Sequence, residues 1–211
     1  MRLLIATRSA HKLKEIRKIL APADVEVVGL EEVKIPWSEE ETRLEPYDTF
    51  RGNAASKARY FHERSGLSTV ADDSGLVVDA LDGRPGVRSK RFSPERGLVG
   101  EARDRANNRY LIELLEEVPL SGRTARYVCV AALVEDADSE PRHFRGVAPG
   151  LIIDEPAGTG GFGYDPHFFD PELQKTFAEI SPDEKNARSH RGKAFRALAA
   201  HLEARSTTRR G

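Results

Sequence analysis

Cysteine, methionine and tryptophan occur once each in 211 residues. A lone thiol can neither close an internal disulfide nor build a cysteine-based zinc site, so the chain reads as one at home in a reducing compartment. Cys129 lies within the apolar run Tyr127-Val128-Cys129-Val130-Ala131-Ala132-Leu133-Val134, where a thiol behaves as a small buried hydrophobe. No stretch approaches the roughly 18 apolar residues of a membrane span, and Arg2-Leu3-Leu4-Ile5-Ala6 is too short for the apolar region of a signal peptide. An excess of one charge is also missing: 33 Lys and Arg against 34 Asp and Glu leave −1. No global field therefore draws the chain to nucleic acid or an anionic membrane. These absences point to a cytoplasmic protein in which any phosphate binding is local.

What is present suits a globular chain: 39% hydrophobic and 32% charged residues can bury a core beneath a hydrated surface. The length predicts one domain, or one domain with two lobes, over residues 1–205, ahead of a polar, basic tail at 206–211 that frays. Leu3 to Ala6 reads as a buried strand that meets a polar turn. Leu13, Ile16, Ile19 and Leu20 then share one face of a helix with Ser9 as N-cap. Val25 to Leu30 is a second strand, and the acidic Glu31 to Tyr47 a solvated loop. A helix from Asp48 lines up Phe50, Ala54, Ala58 and Phe61, with Asn53 and Lys57 on another face. Ser68 to Ala71 reads as a strand ending at Asp72-Asp73-Ser74-Gly75, and Val99 to Leu115 as a helix. The cysteine run reads as a central strand. His143 to Val147 and Leu151 to Ile153 read as two more strands, and Ser181-Pro182-Asp183-Glu184 as a capping box opening the last helix. Alternating strands and helices favour an α/β layered fold with a mixed sheet.

Several of these pieces have a bland and a chemical reading. Asp72 and Asp73 at a strand end suit a turn in which carboxylates accept backbone amides. They equally suit the oxygen ligands of Mg²⁺, which takes one or two carboxylates beside substrate phosphates and water. Thr7 to Lys12 offers hydroxyls, a helix start and a lysine for an anion, without the glycines of a Walker loop; an ordinary capped turn looks the same. Lys57 alone reads as a solvated cation. Gly160-Gly161-Phe162-Gly163-Tyr164-Asp165-Pro166 suits a loop closing on a flat ring, or a hairpin whose aromatics plug the core. Lys185 with Ser189-His190-Arg191 gives donors within two turns of helix, or a basic surface patch.

Taken in order, the pieces resemble the inosine triphosphate pyrophosphatases, also called XTP/dITP diphosphatases, over nearly the whole chain. The resemblance rests on Ala6-Thr7 with Lys12 and Glu15; on Glu45, Thr49-Phe50, Asn53-Ala54 and Lys57-Ala58; and on Ala71 to Leu76 continuing through Asp79-Ala80-Leu81 to Arg91. Gly161 to Pro166, and Phe177-Ala178-Glu179 through Lys185 to Ser189-His190-Arg191, complete it. It implies an elongated, two-lobed α/β fold with a long twisted mixed sheet, a central cleft and homodimeric assembly. It also implies hydrolysis of ITP, dITP or XTP to the monophosphate and pyrophosphate with Mg²⁺. By motif, Glu45 and Asp73 are the metal ligands and Asp73 the proton acceptor for water. Asp72 supports them, and Lys12 and Lys57 are catalytic cations. Thr7, Arg8, Ser9, Ala10, His11, Lys12, Asn53 and Ser74 meet the substrate, as do Phe162, Gly163, Tyr164, Asp165, Lys185, His190 and Arg191 at the base. The chain departs from the pattern at Ser9, His11, Pro46-Tyr47 and Arg88. The rivals are a pyrophosphatase of related fold acting on modified pyrimidine or methylated nucleotides, and a nucleotide-binding module without turnover. Nucleic acid is not an expected partner.

Overall fold

In a computed structural model, which describes residues 1–208, seven strands form one sheet. They are β1 (Arg2–Ile5), β2 (Glu26–Gly29), β3 (Ser68–Val78), β4 (Thr124–Val134), β5 (Arg142–Ile152), β6 (Phe168–Asp170) and β7 (Lys175–Thr176), in the order β2-β1-β3-β4-β5-β6-β7. The helices are α1 (Ala10–Leu20), α2 (Phe50–Ser65), α3 (Gly100–Leu114), α4 (Pro182–Arg188) and α5 (His190–Thr208). β1 runs parallel to β2 and β3, whereas the β5–β6 and β6–β7 pairs are antiparallel. The sheet is therefore mixed, and the cysteine-containing β4 is its central strand. No helix among the described residues is long and apolar enough to cross a membrane.

The chain divides into two compact units. The first holds Met1–Asp73, Cys129–Gly146 and the described residues from His190 onward. Its strands are buried on both faces, which is why β1 reads as an unbroken apolar run. Leu3 and Ile5 point to one face, where they meet Ile16, Ile19 and Leu20 of α1 and Phe195, Leu198 and Leu202 of α5. Leu4 points to the other, against Ala54, Ala58 and Phe61 of α2. Each such Leu, Ile or Phe stabilises the fold by about 1.5–3 kcal/mol when fully buried. Gly146 on β5 lets α5 come close, since a Cβ there would lie 2.0 Å from the carbonyl oxygen of His190 and 2.6 Å from the nitrogen of Ala194.

The second unit holds Ser74–Val128 and Val147–Ser189. Its core joins Leu76 and Val78 of β3 to Leu111 of α3 and to an aromatic trio, Tyr127, Phe168 and Phe177. Phe168 lies 4.5 Å from Tyr127 and 4.8 Å from Phe177 between ring centroids, in tilted and edge-on arrangements that aromatic pairs favour.

Four sequence expectations need correcting. β3 does not end at the acids: it runs unbroken through Asp72 and Asp73 to Val78, because each carboxylate finds its own cationic or amide partner and needs no turn. β5 is one strand, not two. Pro149 is exposed within it, and β6 pairs only at Leu151 and Ile152, so Pro149 sits where an edge tolerates a missing donor. The final helix is broken, as Ser189 is extended at φ −64°, ψ 157°. Lys185 therefore belongs to α4, and His190 and Arg191 open α5. Lastly, the acidic loop carries a 3-10 turn, Glu39–Arg43, with a capping box between Ser38 and Glu41. The helical backbone of α5 continues to Thr208, into the tail expected to fray; 209–211 lie outside the described residues.

Candidate active site

Period-two alternation along β3 sends Val70 to the face of α1 and α5 and Ala71 to the face of α2. Asp72 and Asp73 follow in step, so the two neighbouring acids serve opposite faces. Asp72 accepts from Lys12 Nζ at 2.8 Å and lies 3.6 Å from Arg191 Nη2, with the Cys129 sulfur at 3.8 Å. Burial pushes the Asp72 carboxyl up, but Lys12, Arg191 and Lys57 outweigh it and hold the group well below the usual carboxylate range. Arg191 is buried, donates to Glu15 Oε2 at 2.6 Å, and is held charged by Asp72 and Glu15 against the pull of burial. The buried Cys129 thiol is pushed up by burial and by Asp72 and stays protonated.

Asp73 has different neighbours. Asn53 Nδ2 donates to it at 3.0 Å, and Lys57 Nζ lies 3.8 Å away. Burial raises its pKa, Lys57 lowers it, Glu45 raises it again, and the outcome lies above the ordinary carboxylate value. Lys57 reaches in from α2 to Glu45 Oε1 at 2.5 Å and to the Asp72 carbonyl oxygen at 2.7 Å. Burial opposes its charge, yet Asp73, Glu45 and Asp72 keep its pKa above that of ordinary lysine. The bland expectation of a solvated Lys57 therefore fails. Asn53 is held by the Tyr47 amide, which donates to its Oδ1 at 2.9 Å.

Glu45 and Asp73 thus converge on one ammonium. Such a pair of hard oxygen donors fits a divalent cation that takes its remaining ligands from phosphates and water. No cluster of three or more His, Cys, Asp or Glu suited to a metal occurs among the described residues.

Ser9 caps α1 as expected, its hydroxyl accepting from the Lys12 amide. Two amides of the Thr7 to Lys12 turn are already engaged: that of Thr7 donates to the Ile5 carbonyl at 3.0 Å, and that of Ser9 to Thr7 Oγ1 at 3.2 Å. Ala10 and His11 are exposed at the start of α1. Arg8 turns away from the anion turn, donating through Nε and Nη2 to both oxygens of Glu41, and to the carbonyls of Ile35 and Pro36.

The second unit gathers the glycine-loop residues. Lys185 Nζ contacts Asp165 Oδ2 at 2.5 Å and lies 4.8 Å from the Phe162 ring centroid, and Asp165 also accepts from the Phe162 amide at 2.8 Å. Tyr164 is buried with its hydroxyl donating to the Ser89 carbonyl at 2.8 Å, so it anchors the loop in the core and is unavailable to stack on a ring. Ser74 is half-buried on β3, and next to it a Cβ at Gly75 would meet Ser89 Oγ at 2.3 Å. His190 and Arg191 lie in the first unit, where Arg191 faces Asp72.

Sequence reasoning missed several supports. Asp104 and Asn108, one helical turn apart on α3, grip Gly163 by its amide and carbonyl at 3.0 Å each. Asn107 accepts from the amides of Phe92 and Ser93 and donates to the Ser89 carbonyl. Asp104 and Asn108 carried no signal of their own, since α3 also bears Glu101, Arg103, Arg105, Asn107 and Arg109. For Glu41, the available signal was the Ser38-Glu39-Glu40-Glu41 capping pattern within an acidic stretch.

Comparison with known proteins gives consistent matches along the chain. The sequence profile of the Ham1 family matches residues 3–201. A dITP/XTP pyrophosphatase of Burkholderia pseudomallei is 45% identical over 202 residues, spanning 95% of this chain and 93% of that one. Among solved structures, a HAM1 protein from Coxiella burnetii superimposes with a TM-score of 0.83 at 37% identity, covering 96% of this chain and 98% of that one. A nucleoside-triphosphatase, dITP/XTP pyrophosphatase, from Mycobacterium abscessus gives 0.69 at 40% identity, with 96% and 99% covered.

Proposed function

The chain belongs to the Ham1 family, and from that premise we propose that it hydrolyses deaminated purine nucleoside triphosphates, dITP, XTP and ITP, to the monophosphate and pyrophosphate. The observation that carries this reading is the divergence of two adjacent acids. Asp72 is locked as an anion by Lys12 and Arg191, while Asp73 is raised by burial beside Glu45. Neighbouring groups whose surroundings push their pKa values apart are suited to different tasks.

Asp73 accepts the proton of the attacking water. A carboxylate raised from its ordinary value is a better base for that proton. Asp72 takes no part in proton transfer and holds Lys12 Nζ at the start of α1. Lys12 and Lys57 offset the charge of the triphosphate, a need the net charge of −1 leaves to local groups. Asn53 orients Asp73. Glu45 and Asp73 would hold a divalent cation, for which Mg²⁺ suits their hard oxygens, and when bound it neutralises charge on the phosphate oxygens.

Phe162 and Lys185 are assigned to the base, an aromatic face and a cationic donor toward a 6-oxo group. Adenine presents an amino group there and would leave the donor unpaired, a mismatch that can discriminate by about 10⁴–10⁵. Homodimeric assembly accompanies this reading through the family resemblance, and a cytoplasmic location through the lone cysteine, which suits a reducing compartment. The rival reading on modified pyrimidine nucleotides lacks support of this kind.

The test incubates the protein and Mg²⁺ with a panel of nucleoside triphosphates and separates pyrophosphate from orthophosphate. The expected result is pyrophosphate as the first product from dITP, XTP and ITP, with little from ATP. Orthophosphate as first product, or equal turnover of ATP, would reject the assignment.

A further inference from the structure

Arg8 heads the anion turn, yet its guanidinium is spent on a different element. Four of its five N–H donors are committed: one from Nε and one from Nη2 to Glu41, one from Nη1 to Ile35 O and one from Nη2 to Pro36 O, at 2.6–3.0 Å. A two-pronged Arg–carboxylate pair of this kind fixes geometry as well as charge. Its opposite charge keeps Arg8 protonated, the bond to Glu41 being the largest influence. Glu41 is itself immobilised, because it accepts from the Ser38 amide in the capping box, and its side chain is only 10% exposed. The guanidinium also lies 5.8 Å from the Phe61 ring of α2. One side chain therefore ties together the turn after β1, the segment 31–47 and the helix that carries Asn53 and Lys57. Four residues beyond Glu41, the same segment delivers Glu45 to Lys57 and Tyr47 to Asn53. Elsewhere in 31–47, Val33, Ile35 and Leu44 pack against the core, Glu32 meets Arg17, and Glu40 meets Tyr60 and Arg64 of α2, whereas Trp37, Glu39, Thr42 and Arg43 are exposed, so Arg8 is the tie between this segment and the turn after β1.

We propose that Arg8 is a positioning residue and no phosphate ligand: by clamping Glu41 and two carbonyls it fixes the segment 31–47 and so presets Glu45 beside Lys57. The proposal rests on the functional reading above only for its effect on turnover.

The experiment measures amide hydrogen exchange over 31–47 in metal-free wild type, Arg8→Lys, Arg8→Met and Glu41→Gln. Steady-state kinetics accompany it, on a nucleotide the wild type hydrolyses. Exchange at 35–45 should quicken by about tenfold or more in all three variants, as expected when a local clamp opens. Arg8→Lys should resemble Arg8→Met, because an ammonium cannot span a carboxylate and two carbonyls. kcat should fall by about tenfold with KM changed by less than about twofold, and the Arg8→Met, Glu41→Gln double variant should be no worse than the poorer single one. Glu41→Gln preserves side-chain shape and carries the test should Arg8→Met not fold. Unchanged exchange overturns the proposal. So does a raised KM in Arg8→Met that Arg8→Lys restores, since that marks direct contact with phosphate. Should the wild type hydrolyse none of the nucleotides, the functional reading falls while the exchange rates still decide the clamp.

Discussion

Asp72 and Asp73 are chain neighbours with opposite fates, and the difference gives each its own prediction. Asp72→Asn leaves Lys12 and Arg191 without their shared countercharge in a buried place, and breaking such a pair costs about 3–5 kcal/mol. Urea unfolding should register that loss. The linkage has a definite sign: the folded pKa of Asp72 lies below its ordinary 3.8, so its contribution is complete above that value and is lost as pH falls through the folded pKa. Wild-type stability should therefore decline steeply in acid, and Asp72→Asn should flatten that limb. Asp73→Asn should behave otherwise. Lys57 keeps Glu45 as a countercharge, so the amide should cost less stability than Asp72→Asn does. Turnover should nonetheless fall by about 10²–10⁴, the share a positioned base supplies, with nucleotide binding retained. Near-normal kcat in Asp73→Asn would remove the residue from its assigned role. The sequence displayed the two acids but not their separation, because opposite faces follow only once the strand is known to continue through them. Their partners, Lys12 and Arg191, stand far off in the chain.

Elements place these residues by close approach. α5 lies against β5 through Gly146, where any Cβ would collide with the His190 carbonyl and the Ala194 nitrogen. Gly146→Ala should thus destabilise the protein by about 1–3 kcal/mol through overpacking, read as a lowered melting temperature. It should reduce turnover as well, since α5 brings Arg191 to Asp72. A melting temperature equal to wild type would contradict the packing described. Helix starts were legible in the sequence where a side chain was read as the cap, as at Ser9 and Ser181. The break at Ser189 was not, because neither glycine nor proline marks it. What demands it is the separate destinations of Lys185, which meets Asp165, and Arg191, which meets Glu15 and Asp72. Between the two runs read as strands stands Pro149-Gly150, a pair that usually punctuates; here the short pairing of β5 with β6 leaves room for it.

At the scale of the whole molecule, near-neutral charge is combined with intensely charged local groups, and each unit buries its own core. The mixed α/β class followed from alternating patterns and the family from five motifs in order, since both are carried by local spacing. The supports stayed hidden, because Arg8 to Glu41 and Asp104 to Gly163 join residues 33 and 59 positions apart. Only folding makes such pairs neighbours. The central claim is that Asp73 directs water onto the α-phosphorus. It is tested most directly by hydrolysing dITP in ¹⁸O-labelled water and locating the label by mass spectrometry. The account predicts ¹⁸O in the nucleoside monophosphate and none in pyrophosphate; label in the pyrophosphate would contradict it.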